Sequence, residues 1–224
     1  MATRKSQRIG IWVIAGALTI GTLGGFIAMV LAPKNAASDQ ARYQQLIDDY
    51  SKESTAYQAK VDAQATELSA KYFDTFNQYA TRPSAFAAAD VKELKKEDLK
   101  IGEGEAITKD SSFSAYYIGW NPSGKVFDGS IDGTKLKAPF SVTPGGVIPG
   151  WTEGVDGMKA GGVRELTIPA DKAYGETGQG ADIPANTPLK FVIMVIPTPE
   201  KIAQPTPSEE LLKLYAQQQQ PQQY

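Results

Sequence analysis

The spacing of hydrophobic residues changes twice along the chain, and these changes divide it into three parts. Residues 9–32 form an unbroken run without a charged side chain. Residues 43–79 carry apolar or aromatic side chains about every 3.6 residues, the period of an α-helix. From residue 101 the spacing falls towards two, the period of a β-strand. The pattern therefore predicts a membrane-length helix, an amphipathic helix and a β-rich domain.

The uncharged run is predicted to be a transmembrane anchor. A helix over residues 9–32 spans roughly 36 Å, enough to cross a hydrocarbon core of about 30 Å. A cleaved signal peptide is the alternative, but its apolar core normally has only about 7–15 residues. The basic residues Arg4, Lys5 and Arg8 precede the run. Because basic residues favour the cytoplasmic side, we expect residues 1–8 in the cytoplasm and the remainder outside the cell membrane.

Residues 33–80 are predicted to form a helical arm. Its apolar stripe is Tyr43, Ile47, Tyr50, Ser54, Tyr57, Val61, Ala65, Leu68, Tyr72, Phe76 and Tyr79, with Ser54 as the polar exception. The fit to 3.6 rather than 3.5 residues argues against a long supercoiled zipper. A hairpin with a break near residues 51–54 also fits. The stripe either packs against its own chain, forms a homodimer interface or holds client proteins, and the pattern does not select among these.

The β-rich domain is predicted to follow a linker at residues 81–92 and to occupy residues 93–198. Its expected strands lie at residues 112–120, 126–127, 140–142, 163–168 and 189–196, with one short helix between Pro149 and Met158. Such a composition favours an α+β fold in which an antiparallel sheet curves over the helix.

The Pro/Gln-rich tail, residues 199–224, is predicted to be mostly disordered. Its one helical candidate runs from Ser208, the expected cap, to Ala216. We expect Leu211, Leu212 and Tyr215 of this helix to dock on the folded domain.

Composition excludes several kinds of chemistry. The chain has no Cys and no His, which rules out disulfides, thiol nucleophiles, Ser–His hydrolases and ordinary zinc sites. No spacing of Asp and Glu suggests a carboxylate metal site, and no cofactor is expected. A net charge of -2 without a large basic cluster argues against nucleic acid as a partner.

Short motifs from separate segments of residues 93–197 occur together in a recognisable order. They are Tyr117; Lys125-Val126-Phe127-Asp128; Pro139-Phe140; Val147-Ile148-Pro149-Gly150-Trp151; Gly154-Val155 and Met158; Leu166-Thr167-Ile168-Pro169; Ala173-Tyr174-Gly175; Ile183-Pro184; and Leu189 with Phe191. This set resembles the FKBP family of peptidyl-prolyl cis-trans isomerases. The resemblance covers nearly half of the chain and implies a half-barrel sheet wrapped on one helix, with the site between them.

The resemblance also implies roles for individual residues. Trp151 is expected to form the floor of a pocket, and Tyr174 and the Ile148 backbone N–H are expected to donate hydrogen bonds to a ligand. Asp128 is expected at the rim, beside the reacting carbonyl. The walls and enclosure are expected from Tyr117, Phe127, Phe140, Val147, Ile148, Ile183 and Phe191. The Arg that is common after the family's Asp is absent, and Lys135 is the nearest cation in the longer loop that follows Asp128.

Together with the predicted anchor, the resemblance implies a membrane-anchored extracytoplasmic foldase that isomerises X–Pro bonds of proline-containing clients. The resemblance also implies macrolide inhibitors of the rapamycin type as ligands. The alternative is a non-catalytic chaperone or scaffold, in which the arm holds clients or partners and the pocket only recognises a proline-containing segment.

Overall fold

The structure, a computed structural model, describes residues 36–218. They belong to two compact units, one of residues 62–200 and one that combines residues 36–61 with residues 201–218. The anchor predicted for residues 9–32 lies outside the described residues. Within residues 36–218, no helix is both long and apolar enough to cross a bilayer.

A single helix, α1, runs without a break from Ala36 to Asn77. The alternative of a helical hairpin with a break near residues 51–54 is therefore not formed. All eleven positions of the predicted stripe are buried or half-buried, whereas the charged residues Asp48, Asp49, Lys52, Glu53, Lys60, Asp62, Glu67, Lys71 and Asp74 are all exposed. The predicted period of 3.6 residues is thus confirmed.

The unit of residues 62–200 is built on an antiparallel sheet. Its strands are β1 (Lys95–Lys100), β2 (Phe113–Trp120), β3 (Val126–Gly129), β6 (Phe140–Val142), β7 (Val163–Ile168) and β8 (Leu189–Ile196), and β4 (Ile131–Asp132) pairs with β5 (Lys135–Leu136) in a separate small hairpin. The order across the sheet is β1-β7-β8-β2-β3, and β6 also pairs with β2. The predicted antiparallel α+β architecture is confirmed, while β1 and the β4–β5 hairpin were not predicted.

Side chains alternate between the two faces of the sheet, as strand geometry requires. On one face, Phe113, Ala115, Leu166, Ile168, Phe191 and Ile193 belong to a core that also includes Trp151 and Val155. These last two residues belong to helix α2 (Pro149–Val155), so this face is covered by the short helix predicted from the sequence.

Helix α2 approaches the sheet closely because two of its residues are glycines. A Cβ at Gly150 would collide with Ile168, and one at Gly154 would lie 2.8 Å from Leu166 Cδ2. Pro149 occupies the first turn, where its missing N–H leaves no helical hydrogen bond unmade. The glycines thus allow Trp151 to sit directly against the sheet.

The opposite face of the sheet carries a second core, which the C-terminal part of α1 covers. Phe76 of α1 is fully buried with Tyr116, Trp120, Val192 and Met194. Within the unit of residues 62–200, the stripe of α1 therefore packs against its own chain.

The other unit holds helix α3 (Glu209–Gln218) together with the first half of α1. Ser208 caps α3 as predicted, since its Oγ accepts the Leu211 N–H at 3.1 Å. Arg42 of α1 forms a bidentate pair with Glu210 at 3.0 and 2.8 Å. Of the three side chains expected to dock, Leu211 is buried at 8% exposure, whereas Leu212 and Tyr215 remain 52% and 42% exposed.

Candidate active site

Five aromatic rings from five different elements meet above α2. Trp151 contacts Tyr117 and Phe191 at 5.3 Å between ring centroids and Phe140 at 6.1 Å. Phe127 contacts Phe191 at 5.6 Å, and Tyr117 contacts Phe140 at 5.7 Å. All these pairs are edge-to-face, an arrangement that places ring edges against ring faces and adds stability beyond simple burial. We call these five residues the aromatic cluster.

Trp151 is the base of the aromatic cluster. It stands in the first turn of α2 and is only 4% exposed. Tyr117 and Phe191 reach it from β2 and β8, where Tyr117 pairs with Ile193 and Gly119 pairs with Phe191. The sheet register therefore fixes which rings surround the indole.

Gly119 is a site residue that was not predicted from the sequence. A Cβ at this position would lie 2.5 Å from Phe191 Cε1 and 2.7 Å from Phe127 Cζ. The absence of a side chain therefore makes the space in which these two rings meet. A glycine inside a predicted strand is the only signal that the sequence offers for such a close approach.

Asp128 lies at the edge of the aromatic cluster, where it is held by two hydrogen bonds. The Tyr117 hydroxyl donates to Asp128 Oδ2, and the Gly129 N–H donates to Asp128 Oδ1 at 2.8 Å. The Asp128 side chain is exposed to solvent. Among the ion pairs of the described residues none includes Asp128. Lys135, the first cation that follows Asp128 in the sequence, lies in the β4–β5 hairpin. The carboxylate is thus oriented by a phenol and a backbone amide.

Burial and the carboxylate act together on the two tyrosines of the site. Burial, the hydrogen bond to Asp128 and the charge of Asp128 raise the pKa of Tyr117 far above its ordinary value. Burial, with a smaller contribution from Asp128, also raises the pKa of Tyr174. Both phenols are therefore protonated at neutral pH and can act as hydrogen-bond donors.

Two donors at the site are not used within the described part of the chain. No acceptor for the Tyr174 hydroxyl or for the Ile148 N–H occurs among residues 36–218. Ile148 precedes the first turn of α2, where backbone N–H groups have no partner inside the helix. These two groups are available to a bound ligand.

The loop that carries Ile183 is braced from the β2–β3 turn. Lys125 Nζ pairs with Asp182 Oδ1 at 2.6 Å, and Asn121 Nδ2 donates to the Asp182 carbonyl at 2.9 Å. Ile183 itself is buried in the core beneath the aromatic cluster. This brace could not be predicted from the sequence, because it depends on two loops that are far apart in the chain.

The structure brings all ten predicted site residues together. Trp151, Ile183 and Phe191 are buried, and six others are half-buried against them: Tyr117, Phe127, Phe140, Val147, Ile148 and Tyr174. Asp128 joins them through Tyr117. The result is an apolar aromatic surface with one acceptor and two unused donors at its border, which suits a planar amide flanked by a compact apolar ring.

Comparison with known proteins identifies the same part of the chain. Residues 103–196 match the family model for FKBP-type peptidyl-prolyl cis-trans isomerase. Over 102 residues the chain is 40% identical to the FK506-binding protein of Neisseria meningitidis serogroup A. The matched region covers 45% of this chain and 91% of that protein. Over 100 residues it is 44% identical to FK506-binding protein 4 of Rhizopus delemar, but it spans only 26% of that relative's length. The chain is also similar to a peptidyl-prolyl cis-trans isomerase from Pseudomonas syringae pv. tomato whose crystal structure is known. The sequence identity is 32% and the TM-score is 0.42, and the match covers 58% of this chain and 93% of the Pseudomonas chain.

Proposed function

This chain belongs to the family of FKBP-type peptidyl-prolyl cis-trans isomerases, and from that membership we propose that it accelerates the rotation of X–Pro bonds in polypeptide clients. The observation that carries the proposal is the aromatic cluster with the Tyr117–Asp128 pair at its border. Rotation about an X–Pro bond needs no covalent intermediate, so the proposed site requires no nucleophile.

The barrier to this rotation, about 18–20 kcal/mol, comes from loss of amide resonance in the twisted state. Water stabilises the planar amide, which is the more polar form. An amide held against Trp151 and its neighbouring rings loses that solvation, whereas the twisted amide loses less. The aromatic cluster therefore favours the transition state over the ground state, and such differential binding is what raises the rate.

The polar groups at the border are proposed to orient the peptide. The Ile148 N–H and the Tyr174 hydroxyl donate to peptide carbonyl oxygens. The Asp128 carboxylate attracts the positive carbon end of the carbonyl that precedes proline. Because Tyr117 fixes the Asp128 carboxylate, little reorganisation is needed when the amide twists. Macrolides of the rapamycin type are proposed to occupy the same surface. The relatives from Neisseria meningitidis and Rhizopus delemar are named as FK506-binding proteins.

A refolding experiment tests this proposal. A substrate protein whose slow phase is limited by proline isomerisation is refolded with increasing amounts of the full chain. We expect the slow phase to accelerate in proportion to the chain and a macrolide to abolish the effect. Asp128→Asn should reduce the acceleration roughly tenfold, about 1.4 kcal/mol of transition-state stabilisation, whereas Asp90→Asn, at an exposed position before β1, should not change it. A slow phase that does not respond at high concentrations of the chain refutes the proposal.

We further propose that the chain is anchored in the cell membrane by residues 9–32, with the isomerase domain outside the cytoplasm. The support is the uncharged run and the preceding basic residues Arg4, Lys5 and Arg8. In that location the chain would act on exported proteins as they fold.

Cysteine labelling tests this location, because the chain has no cysteine of its own. Asp132→Cys places one thiol at an exposed position of the β4–β5 hairpin. A membrane-impermeant maleimide should label it in cells whose cell membrane is intact, and alkaline carbonate should not release the chain from membranes. Labelling that requires lysis of the cell membrane would place the domain in the cytoplasm instead.

A further inference from the structure

The hairpin that follows Asp128 is attached to helix α1 by a buried hydrogen bond. The Leu136 N–H of β5 donates to Ser69 Oγ at 2.8 Å. Ser69 is 7% exposed and Leu136 is 3% exposed, so water does not compete for this bond. The Leu136 side chain belongs to the same core as Phe76 of α1.

A path of hydrogen bonds, joined by the covalent link between Leu136 and Lys137, leads from this attachment to the site. The Lys137 N–H donates to the Ser130 carbonyl at 2.8 Å, which closes the base of the hairpin. Ser130 in turn bonds Tyr117 twice, through its own N–H to the Tyr117 carbonyl at 2.8 Å and through its Oγ, which accepts the Tyr117 N–H at 2.9 Å. Tyr117 ends the path by donating to Asp128.

The strand that carries Asp128 needs such support. Among the described strands, β3 is the last of its sheet and pairs only with β2, with an irregularity in the register between Gly119 and Trp120. A short edge strand with a register irregularity is held weakly by its own ladder. Its position therefore depends on the segment that follows it, residues 130–137.

We propose that Ser69 is a positioning residue for the isomerase site, acting through the β4–β5 hairpin on the Tyr117–Asp128 pair. The helical arm is then part of the catalytic structure and not only a spacer. The catalytic consequence rests on the proposed function, but the effect on the geometry of Asp128 does not.

The test compares three variants of the full chain. Ser69→Ala removes the acceptor of the Leu136 N–H. Ser69→Thr retains a hydroxyl at the same position. Thr66→Ala is the matched control, because Thr66 lies one turn away at an exposed position, and within residues 36–218 its hydroxyl bonds only the Asp62 carbonyl of its own helix.

Two readouts are measured: cis–trans interconversion of an X–Pro peptide, and the amide NMR resonance of Gly129, whose N–H donates to Asp128. We expect Ser69→Ala to lower kcat about tenfold with little change in KM, since Trp151, Phe140 and Phe191 of the aromatic cluster lie outside this path and still bind the peptide. The Gly129 resonance should shift in Ser69→Ala. Thr66→Ala should match the unmodified chain in both readouts, and Ser69→Thr should recover most of kcat.

The proposal is overturned if Ser69→Ala leaves kcat and the Gly129 resonance as in the unmodified chain. It is also overturned if Thr66→Ala produces the same changes as Ser69→Ala, because the effect would then reflect general loosening of α1. Should the unmodified chain lack isomerase activity, the proposed function fails, yet the Gly129 resonance still decides whether Ser69 positions Asp128. If Ser69→Ala does not fold, Ser69→Cys, which keeps the shape but weakens the acceptor, is measured in its place with the same criteria.

Discussion

Tyr116 and Tyr117 are neighbours in β2 that face opposite sides of the sheet. The Tyr117 ring contacts Trp151 and Phe140, and its hydroxyl donates to Asp128. The Tyr116 ring lies in the core under α1, and its buried hydroxyl has no hydrogen-bond partner in the described part of the chain. The same residue type therefore has a bonded hydroxyl on one face and an unbonded hydroxyl on the other.

This contrast gives a matched pair of substitutions. Tyr117→Phe retains the ring and removes the donor to Asp128, so we expect isomerase activity to fall roughly tenfold, about 1.4 kcal/mol. Tyr116→Phe removes a buried hydroxyl that has no hydrogen-bond partner among residues 36–218, so activity should stay unchanged. The free energy of unfolding should stay equal or rise by up to about 1 kcal/mol. Peptide isomerisation rates and urea unfolding measure both effects. Loss of activity in Tyr116→Phe alone would contradict the assignment.

The buried tyrosines also predict how stability depends on pH. Burial, with a smaller contribution from Tyr72, raises the pKa of Tyr116 to about 12, compared with about 10 in an unfolded chain. Below pH 10 the Tyr116 phenol is protonated in both the folded and the unfolded state, so its ionisation does not reduce the free energy of unfolding. Above pH 10 only the unfolded state ionises, and stability should fall by up to about 3 kcal/mol as the pH approaches 12.

Unfolding experiments between pH 8 and pH 11.5 measure this effect. Because lysines also titrate in this range, the informative quantity is the difference between the unmodified chain and Tyr116→Phe. We expect the loss of stability above pH 10 to be smaller in the variant. Equal slopes for the two chains would show that the Tyr116 phenol ionises as freely in the fold as in the unfolded state.

At the scale of secondary-structure elements, the contact of α2 with β7 depends on Gly150 and Gly154. Alanine has a higher helix propensity than glycine by about 1 kcal/mol, yet a Cβ at Gly154 would overlap with the Leu166 side chain. We expect Gly154→Ala to destabilise the chain by about 1–3 kcal/mol through overpacking. In a Leu166→Ala background, which removes the obstructing atoms, the same change should cost much less. Additive losses in the double variant would exclude a direct clash.

The elements that could be predicted from the sequence are those whose apolar residues pack into one of the two cores. Strands β6, β7 and β8 have the predicted limits, because their apolar residues are flanked by turns. β1 (Lys95–Lys100) was missed because it is an edge strand with five charged residues and one Leu, and charge on an edge strand opposes pairing with other chains. The β4–β5 hairpin was missed because each of its strands has only two residues.

The residues of the candidate site likewise divide into those that could be predicted from the sequence and those that could not. Its aromatic and aliphatic members could be predicted because they stand in short motifs with a recognisable order. Gly119 and the brace of Lys125 on Asp182 could not, because their roles exist only once distant segments are folded together. The support of Asp128 by Tyr117 and Gly129, in place of a basic side chain, likewise depends on the register of β2 and β3.

At the scale of the whole molecule, the C-terminal part of α1 makes the unit of residues 62–200 a three-layer structure of helix, sheet and helix. Phe76 of α1 is fully buried in the core that α1 forms with the sheet, whereas Phe73 of α1 is only half-buried against the same core. We expect Phe76→Ala to reduce the free energy of unfolding by about 3–5 kcal/mol and Phe73→Ala to reduce it by clearly less. Urea unfolding of the two variants measures the difference. Equal, small losses would mean that this part of α1 does not form a core with the sheet.

The most direct test of the central claim is exchange NMR spectroscopy of a short X–Pro peptide with a catalytic amount of the full chain. Cis and trans forms give separate signals, and their uncatalysed interconversion takes tens of seconds or more. We predict exchange cross-peaks on the timescale of seconds or less with the unmodified chain, weaker ones with Tyr117→Phe, and none with saturating macrolide. Peptide that binds the aromatic cluster, as judged by shifts of the Trp151 indole signal, yet interconverts at the uncatalysed rate would contradict the account and leave a binding module in place of an isomerase.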